Sequence, residues 1–141
     1  MPESLAEMLA RHEGLVKHAY QDSEGYWTIG IGRLIDKRKG GGLTEEECFY
    51  LLKNDIQKVA QEAEQFSWYQ SLNNPRKQVI LNMLFNLGLG NFLKFKKMIE
   101  ALQHGDFDEA SKQMLDSKWA TQVGKRATEL SEVMKRGELV T

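Results

Sequence analysis

The sequence predicts an α+β fold, mainly α: a helical domain with one small β lobe near its N-terminus and a cleft between them. Three observations carry this expectation. From Ala19 to Ile35, Tyr20, Tyr26, Trp27, Thr28, Ile29 and Ile31 are punctuated by Gly25, Gly30 and Gly32, the composition of a hairpin or three-stranded sheet. From Thr44 onward the apolar residues recur at helical spacing. The chain has 141 residues, 41% hydrophobic and 28% charged, which suits one soluble core without disulfide or metal staples.

Taken in order, residues 4–12 read as a short helix, with Leu5, Met8 and Leu9 on one face and Gly14 as a stop just past Glu13. Ser23-Glu24-Gly25 makes the first turn of the β segment, and Lys37 to Gly42 is a basic, glycine-rich loop. Thr44 and Glu47 form a capping box, in which each side chain accepts from the other's backbone N–H. Behind it Phe49, Leu52, Ile56, Val59 and Ala63 make one stripe, expected to be buried. Asn74-Pro75 opens the next helix with proline at its first position. Val79, Ile80, Leu81, Met83, Leu84, Phe85 and Leu87 leave that helix apolar nearly all round, so it belongs at the centre of the domain. Phe92, Phe95, Met98, Ile99 and Leu102 form an amphipathic helix closed by Gly105. Asp106 and Glu109 repeat the capping-box pattern before Ala110, Met114 and Leu115. A last helix carries Ala127, Leu130, Val133 and Met134 and stops at Gly137. The expected arrangement is a single monomeric domain over 1–141, with a β lobe at about 15–43 and a helical lobe from 1–14 and 44–141.

Charge and composition exclude several classes. Lys and Arg number 19 against 20 Asp and Glu, a net charge of −1, whereas a dedicated nucleic-acid binder is strongly basic. Cys48 stands alone and cannot form an internal disulfide; it is expected to be a buried or half-buried small hydrophobe. His12, His18 and His104 are not spaced as a metal set and are expected at the surface, so no metal or cofactor is implied. Met1-Pro2-Glu3-Ser4 has no basic stretch leading into an apolar run and does not read as a secretory signal. The most apolar stretch, Val79 to Leu93, is broken by Asn82, Asn86 and two glycines, which argues against stable membrane insertion.

The β segment holds the residues that packing does not explain. Glu13 ends the first helix, Asp22 lies at the hairpin turn and Thr28 on the returning strand. If the turn pairs Asp22 with Tyr26, alternation places Thr28 on the same side as Asp22. Two carboxylates and a hydroxyl facing one cleft are what glycosidic bond cleavage requires: one acid to protonate the leaving oxygen, a second carboxylate to handle water. Spacing alone leaves the plain alternative open, a solvated acid at a helix end and an aspartate serving a turn.

The run Glu13-Gly14-Leu15 followed by Tyr20-Gln21-Asp22-Ser23-Glu24-Gly25-Tyr26-Trp27-Thr28-Ile29-Gly30-Ile31-Gly32 resembles the catalytic signature of the phage-type lysozymes, the endolysin family. Asn82-Met83-Leu84-Phe85-Asn86 resembles that family's central helix, and Trp119 with Lys125-Arg126-Ala127 its C-terminal pattern, so the resemblance covers nearly the whole chain. It implies a lysozyme-like fold and an inverting muramidase that cuts the β-1,4 bond between N-acetylmuramic acid and N-acetylglucosamine in bacterial peptidoglycan. By resemblance Glu13 is the proton donor, Asp22 positions or activates the water, and Thr28 helps to hold it. Leu34, Phe85, Phe95 and Gln113 fall on or near saccharide-contacting positions, the last two with residue types different from the family's. Arg126 matches an arginine near the catalytic glutamate; a cation there would orient Glu13 but would also lower its pKa, against its use as an acid. The alternative for Arg126 is a solvated side chain on the last helix. Arg33 stands where a representative of the family has histidine, and the loop from Asp36 to Gly42 is shorter than in that representative, so a smaller β lobe is expected.

The resemblance further implies synthesis in the host cytoplasm and release to the wall by a holin. The lysines Lys94, Lys96 and Lys97, with the positive charge from Arg33 to Lys39, read either as solvated faces or as an approach to anionic envelope polymers. Two other functions remain alternatives: a lytic transglycosylase, which needs the acid but no water-activating carboxylate, and a non-catalytic binding protein on a lysozyme scaffold.

Overall fold

Ser4 begins the first helix, α1 (Leu5–Glu13), with a reciprocal cap: its hydroxyl accepts from the Glu7 N–H at 3.1 Å and its own N–H donates to Glu7 Oε1 at 3.3 Å. The computed structural model describes residues 3–35 and 41–139. The expected basic loop lies outside them except for Gly41 and Gly42, as does most of the charge run from Arg33 to Lys39. The chain divides into two units, Met1–Leu51 and Leu52–Thr141.

In the first unit, α1 precedes a three-stranded antiparallel sheet in the order β1 (Val16–Gln21), β2 (Trp27–Gly30) and β3 (Arg33–Leu34). Tyr20 faces Thr28 and Gln21 faces Trp27, while Val16 faces Gly30. Four residue steps on β1 therefore oppose two on β2, a bulge that bends the outer strand. Helix α2 (Glu45–Glu64) starts at the expected capping box, with Glu47 N–H to Thr44 Oγ1 at 3.2 Å and Thr44 N–H to Glu47 Oε1 at 2.9 Å.

The stripe expected to be buried along α2 is buried only at Ala63; Phe49 is 62% exposed and Ile56 44%. The helix meets the apolar core of the second unit only through Val59 and Ala63, and Leu52, Ile56 and Val59 wall an open groove instead. Cys48, in the helix's first turn, is exposed rather than buried, because that turn lies ahead of the packed end.

The second unit continues with α3 (Ser67–Gln70), α4 (Asn74–Leu87), α5 (Leu89–Phe92), α6 (Lys96–Gln103), α7 (Phe107–Leu115), α8 (Lys118–Val123) and α9 (Lys125–Arg136). Asn73, not Asn74, caps α4 by accepting from the Arg76 N–H at 3.1 Å, so Pro75 is its second residue rather than its first. As expected, α4 lies in the core: Val79, Ile80, Met83 and Leu84 are buried, with Phe85 exposed on its far face. The single helix expected from Phe92 to Leu102 is two, parted at Leu93–Phe95. Phe92 is drawn into a stack with Phe66 and Trp68, at centroid distances of 6.0 and 6.4 Å, while Phe95 sits edge-on to Trp119, so two anchors pull the chain apart between them. At α7 the Asp106 carboxylate accepts from the Glu109 N–H at 3.1 Å, the forward half of the expected cap. Helix α7 packs on α6 and α9, where the buried Ser111 hydroxyl donates to the Ser131 carbonyl at 2.8 Å. Gly137 ends α9 as expected.

Candidate active site

The hairpin is built around Asp22. Its N–H donates to the Tyr26 carbonyl at 2.8 Å, which is the pairing the sequence suggested, and its Oδ1 accepts from the N–H groups of Glu24 and Tyr26, both at 2.9 Å. An aspartate accepting from its own turn in this way locks the tip of the ribbon. Both of these bonds use Oδ1, which leaves Oδ2 as the atom available to a ligand or water among the described residues. Alternation along β2 then puts Thr28 on the face of Asp22. Thr28 is 2% exposed, faces Tyr20 and Leu34 on the neighbouring strands, and donates its hydroxyl proton to the Tyr26 carbonyl at 3.0 Å. Its oxygen lone pairs therefore remain to accept from a partner.

Glu13 is the last residue of α1 and is exposed. Its carboxyl lies over Gly32, in the turn between β2 and β3: a Cβ at that glycine would stand 2.7 Å from Glu13 Oε2. The next residue, Arg33, donates from Nη1 to Glu47 Oε1 at 2.8 Å and to the Gly42 carbonyl at 3.0 Å. The Arg33 guanidinium, followed by the Thr44 N–H, holds the Glu47 carboxyl at a pKa of about 2. Arg33 thus makes an ion pair within its own unit.

In the second unit Arg126 is not merely solvated. Its Nε and Nη2 both donate to Asn82 Oδ1, at 2.9 and 2.7 Å, on the wall of a groove of about 300 Å³ that also holds Phe85 and the α2 residues Leu52, Ile56 and Val59. Phe95 and Gln113 line a different cavity of about 600 Å³ with Trp119, rimmed by Lys94, Lys96, Lys97 and Lys118. The Phe95 ring meets Trp119 edge-on at 6.1 Å, Trp119 Nε1 donates to Asn86 Oδ1 at 2.8 Å, and Gln113 Nε2 donates to Glu109 Oε1 at 2.8 Å. The candidate binding residues thus fall into three places: Leu34 beside Thr28, Phe85 with Arg126, and Phe95 with Gln113.

Trp119 belongs to the core, and all three histidines are exposed, as expected of them. Among the described residues no three His, Cys, Asp or Glu side chains gather as a metal set, and no helix is long and apolar enough to cross a membrane. Sequence reasoning missed the partners Asn82 and Asn86. The available signal was two amides one turn apart in the apolar stretch Val79–Leu87, where a polar side chain beside the core is usually hydrogen-bonded.

A family model described as phage lysozyme matches residues 10–137. The pre-baseplate central spike protein Gp5 of Enterobacteria phage T4 is 33% identical over 162 positions, which take in 96% of this chain and 28% of that protein's length. Probable T4-type lysozyme 1 of Dictyostelium discoideum is 30% identical, with 99% of this chain and 98% of that protein aligned. An endolysin of Acyrthosiphon pisum secondary endosymbiont phage 1 is 28% identical over 92% of this chain and 86% of its own.

Proposed function

Because the chain belongs to the phage lysozyme family, whose members are glycoside hydrolases, we propose that it is an inverting muramidase. Its substrate on this reading is bacterial peptidoglycan, cut at the β-1,4 bond between N-acetylmuramic acid and N-acetylglucosamine. The observation that carries the reading is the hairpin: Asp22 and Thr28 share a face, with Asp22 Oδ2 and the Thr28 oxygen both left to accept.

Glu13, protonated, gives its proton to the glycosidic oxygen as the bond to the anomeric carbon breaks. A water on the opposite face of the sugar donates one O–H to the Thr28 oxygen and the other to Asp22 Oδ2. Thr28 serves only as an acceptor, since its own proton is committed to the Tyr26 carbonyl. The water's remaining lone pair attacks the anomeric carbon and its proton passes to Asp22. The products are two sugar ends, an ionised Glu13 and a protonated Asp22, and proton exchange with solvent resets the pair. On this reading Leu34, Phe85, Phe95 and Gln113 are the candidate glycan contacts, and Arg126, bonded to Asn82, is a candidate supporting residue. The protein acts as a monomer and as an endolysin: it is made in the host cytoplasm and passes a holin-opened membrane to the wall.

The deciding experiment is turbidity loss of permeabilised bacterial cells with the parent and with Glu13→Gln. The amide keeps the shape and lacks the proton, so lysis should fall by about 10²–10⁴-fold. Near-parental lysis by the folded variant overturns the role of Glu13. Products ending in a 1,6-anhydro sugar would identify a transglycosylase, and parent protein that binds the wall without cutting it would identify a non-catalytic protein.

A further inference from the structure

Two glycines flank Ile31, Gly30 at the end of β2 and Gly32 in the turn to β3, and they differ in one respect. Gly30 has φ +74° and Gly32 has φ +70°, a backbone region that side chains with a Cβ rarely adopt. At Gly30 an added Cβ would meet nothing within 4 Å. At Gly32 it would lie 2.7 Å from Glu13 Oε2, 3.1 Å from Cδ and 3.3 Å from Cγ. Backbone freedom accounts for Gly30. Gly32 satisfies a second demand, because the space its missing side chain leaves is occupied by the Glu13 carboxyl.

We propose that Gly32 is a positioning residue for Glu13, its bare Cα being the seat on which the carboxyl rests. The inference deepens the reading of Glu13 as the general acid and rests on it. An exposed glutamate at a helix end is free to change rotamer at little cost, whereas proton transfer requires the acid within hydrogen-bond reach of one oxygen. A seat that admits Oε2, Cδ and Cγ of Glu13 restricts that freedom from one side. The seat is itself held: Arg33, the adjoining residue, is tied to the Gly42 carbonyl and to Glu47.

The test compares Gly32→Ala with Gly30→Ala, which imposes the same kind of backbone strain without reaching Glu13. Gly32→Ala should lower kcat by about 10–100-fold, as expected for a catalytic group displaced by up to an ångström, with KM nearly unchanged. Gly30→Ala should keep kcat within about twofold. The ¹³C resonance of the Glu13 carboxyl should move in Gly32→Ala and stay in Gly30→Ala. In a Glu13→Asp background, where the carboxyl is withdrawn by one methylene, Gly32→Ala should cost far less, a non-additive cycle. Equal kcat in the two alanine variants, or full additivity in the cycle, overturns the proposal. If Gly32→Ala does not fold, Glu13→Ala/Gly32→Ala decides: a folded double variant supports the seat, and an unfolded one assigns Gly32 to backbone strain alone. Glu13→Gln separates the two ideas. An inactive Glu13→Gln beside a fully active Gly32→Ala removes the seat and keeps the acid, whereas an active Glu13→Gln removes the acid itself.

Discussion

Arg33 Nη1 lies 2.8 Å from Glu47 Oε1 and ties the two-residue strand β3 to the first turn of α2. The carboxylate accepts at once from the arginine and from the Thr44 N–H, so a helix cap and an ion pair share one oxygen. Both groups are solvent-accessible, which keeps the pair weak at high salt.

The first prediction is its pH dependence. Glu47 titrates near 4.5 in the unfolded chain and at about 2 when folded, with Arg33 the main cause and Thr44 the next. For an acid of depressed pKa, the contribution to stability is full above the unfolded value and is lost as pH falls through the folded one. The stabilisation should therefore be intact at pH 5 and decline as pH falls from about 4.5 to about 2, where the folded carboxyl takes up its proton. A ¹³C titration of the Glu47 carboxyl reads this directly, and Arg33→Met should return its midpoint toward the ordinary glutamate range. An unchanged midpoint in that variant would remove Arg33 as the cause.

A second prediction concerns the end of α9. Arg76 on α4 donates from Nε to the Met134 carbonyl at 2.8 Å and from Nη2 to the Lys135 carbonyl at 3.1 Å, with its guanidinium 3.6 Å from the Phe107 ring centre. Asn73 Nδ2 adds a bond to the Gly137 carbonyl at 3.0 Å. A cation bonded to the last carbonyls of a helix satisfies orphan acceptors and the helix dipole together. Arg76→Met, which keeps the apolar stem, should lower unfolding stability by about 1.5–3 kcal/mol in denaturant melts. A loss below 0.5 kcal/mol, roughly what an ordinary surface change gives, would show that water replaces the arginine there.

Third, the core position of α4 is measurable. Met83 is 0% and Leu84 1% exposed, so truncation of either to alanine leaves a cavity. Each should cost about 2–5 kcal/mol, whereas Phe85→Ala, on the exposed face, should cost distinctly less. Denaturation followed by tryptophan fluorescence compares the three.

The fourth prediction is stereochemical. If Asp22 takes a proton from water rather than attacking the sugar, room for that water must exist, and inverting enzymes hold their two carboxyl groups about 6.5–9.5 Å apart against about 5–5.5 Å in retaining ones. The initial product from the β-linkage should be α-configured, and no glycosyl ester should be trapped on Asp22. A β product seen by NMR before mutarotation would overturn the water role and leave the muramidase reading intact. Thr28→Val, nearly isosteric but unable to accept, should reduce lysis with little change in KM.

What the sequence determined by itself is what nearest neighbours along the chain decide. The Thr44–Glu47 cap, the Asp22–Tyr26 turn, the Asp106 cap and the stop at Gly137 are each made within four or five residues, so residue type and spacing suffice. The buried face of α4 was legible for the same reason, because almost every position on it is apolar. The spacing of Glu13, Asp22 and Thr28 was also plain, but not what each atom does. Only the folded chain shows that Asp22 spends one oxygen on its turn, that the Thr28 proton is committed, and that Glu13 rests on Gly32. The α2 stripe, read as buried from its period, walls a groove instead, because periodicity names a face without saying what covers it. Arg126 finds Asn82 across 44 residues, and Arg76 finds Met134 across 58. Such partners are set by which helices pack together, and side chains that far apart in sequence carry no local signal of one another.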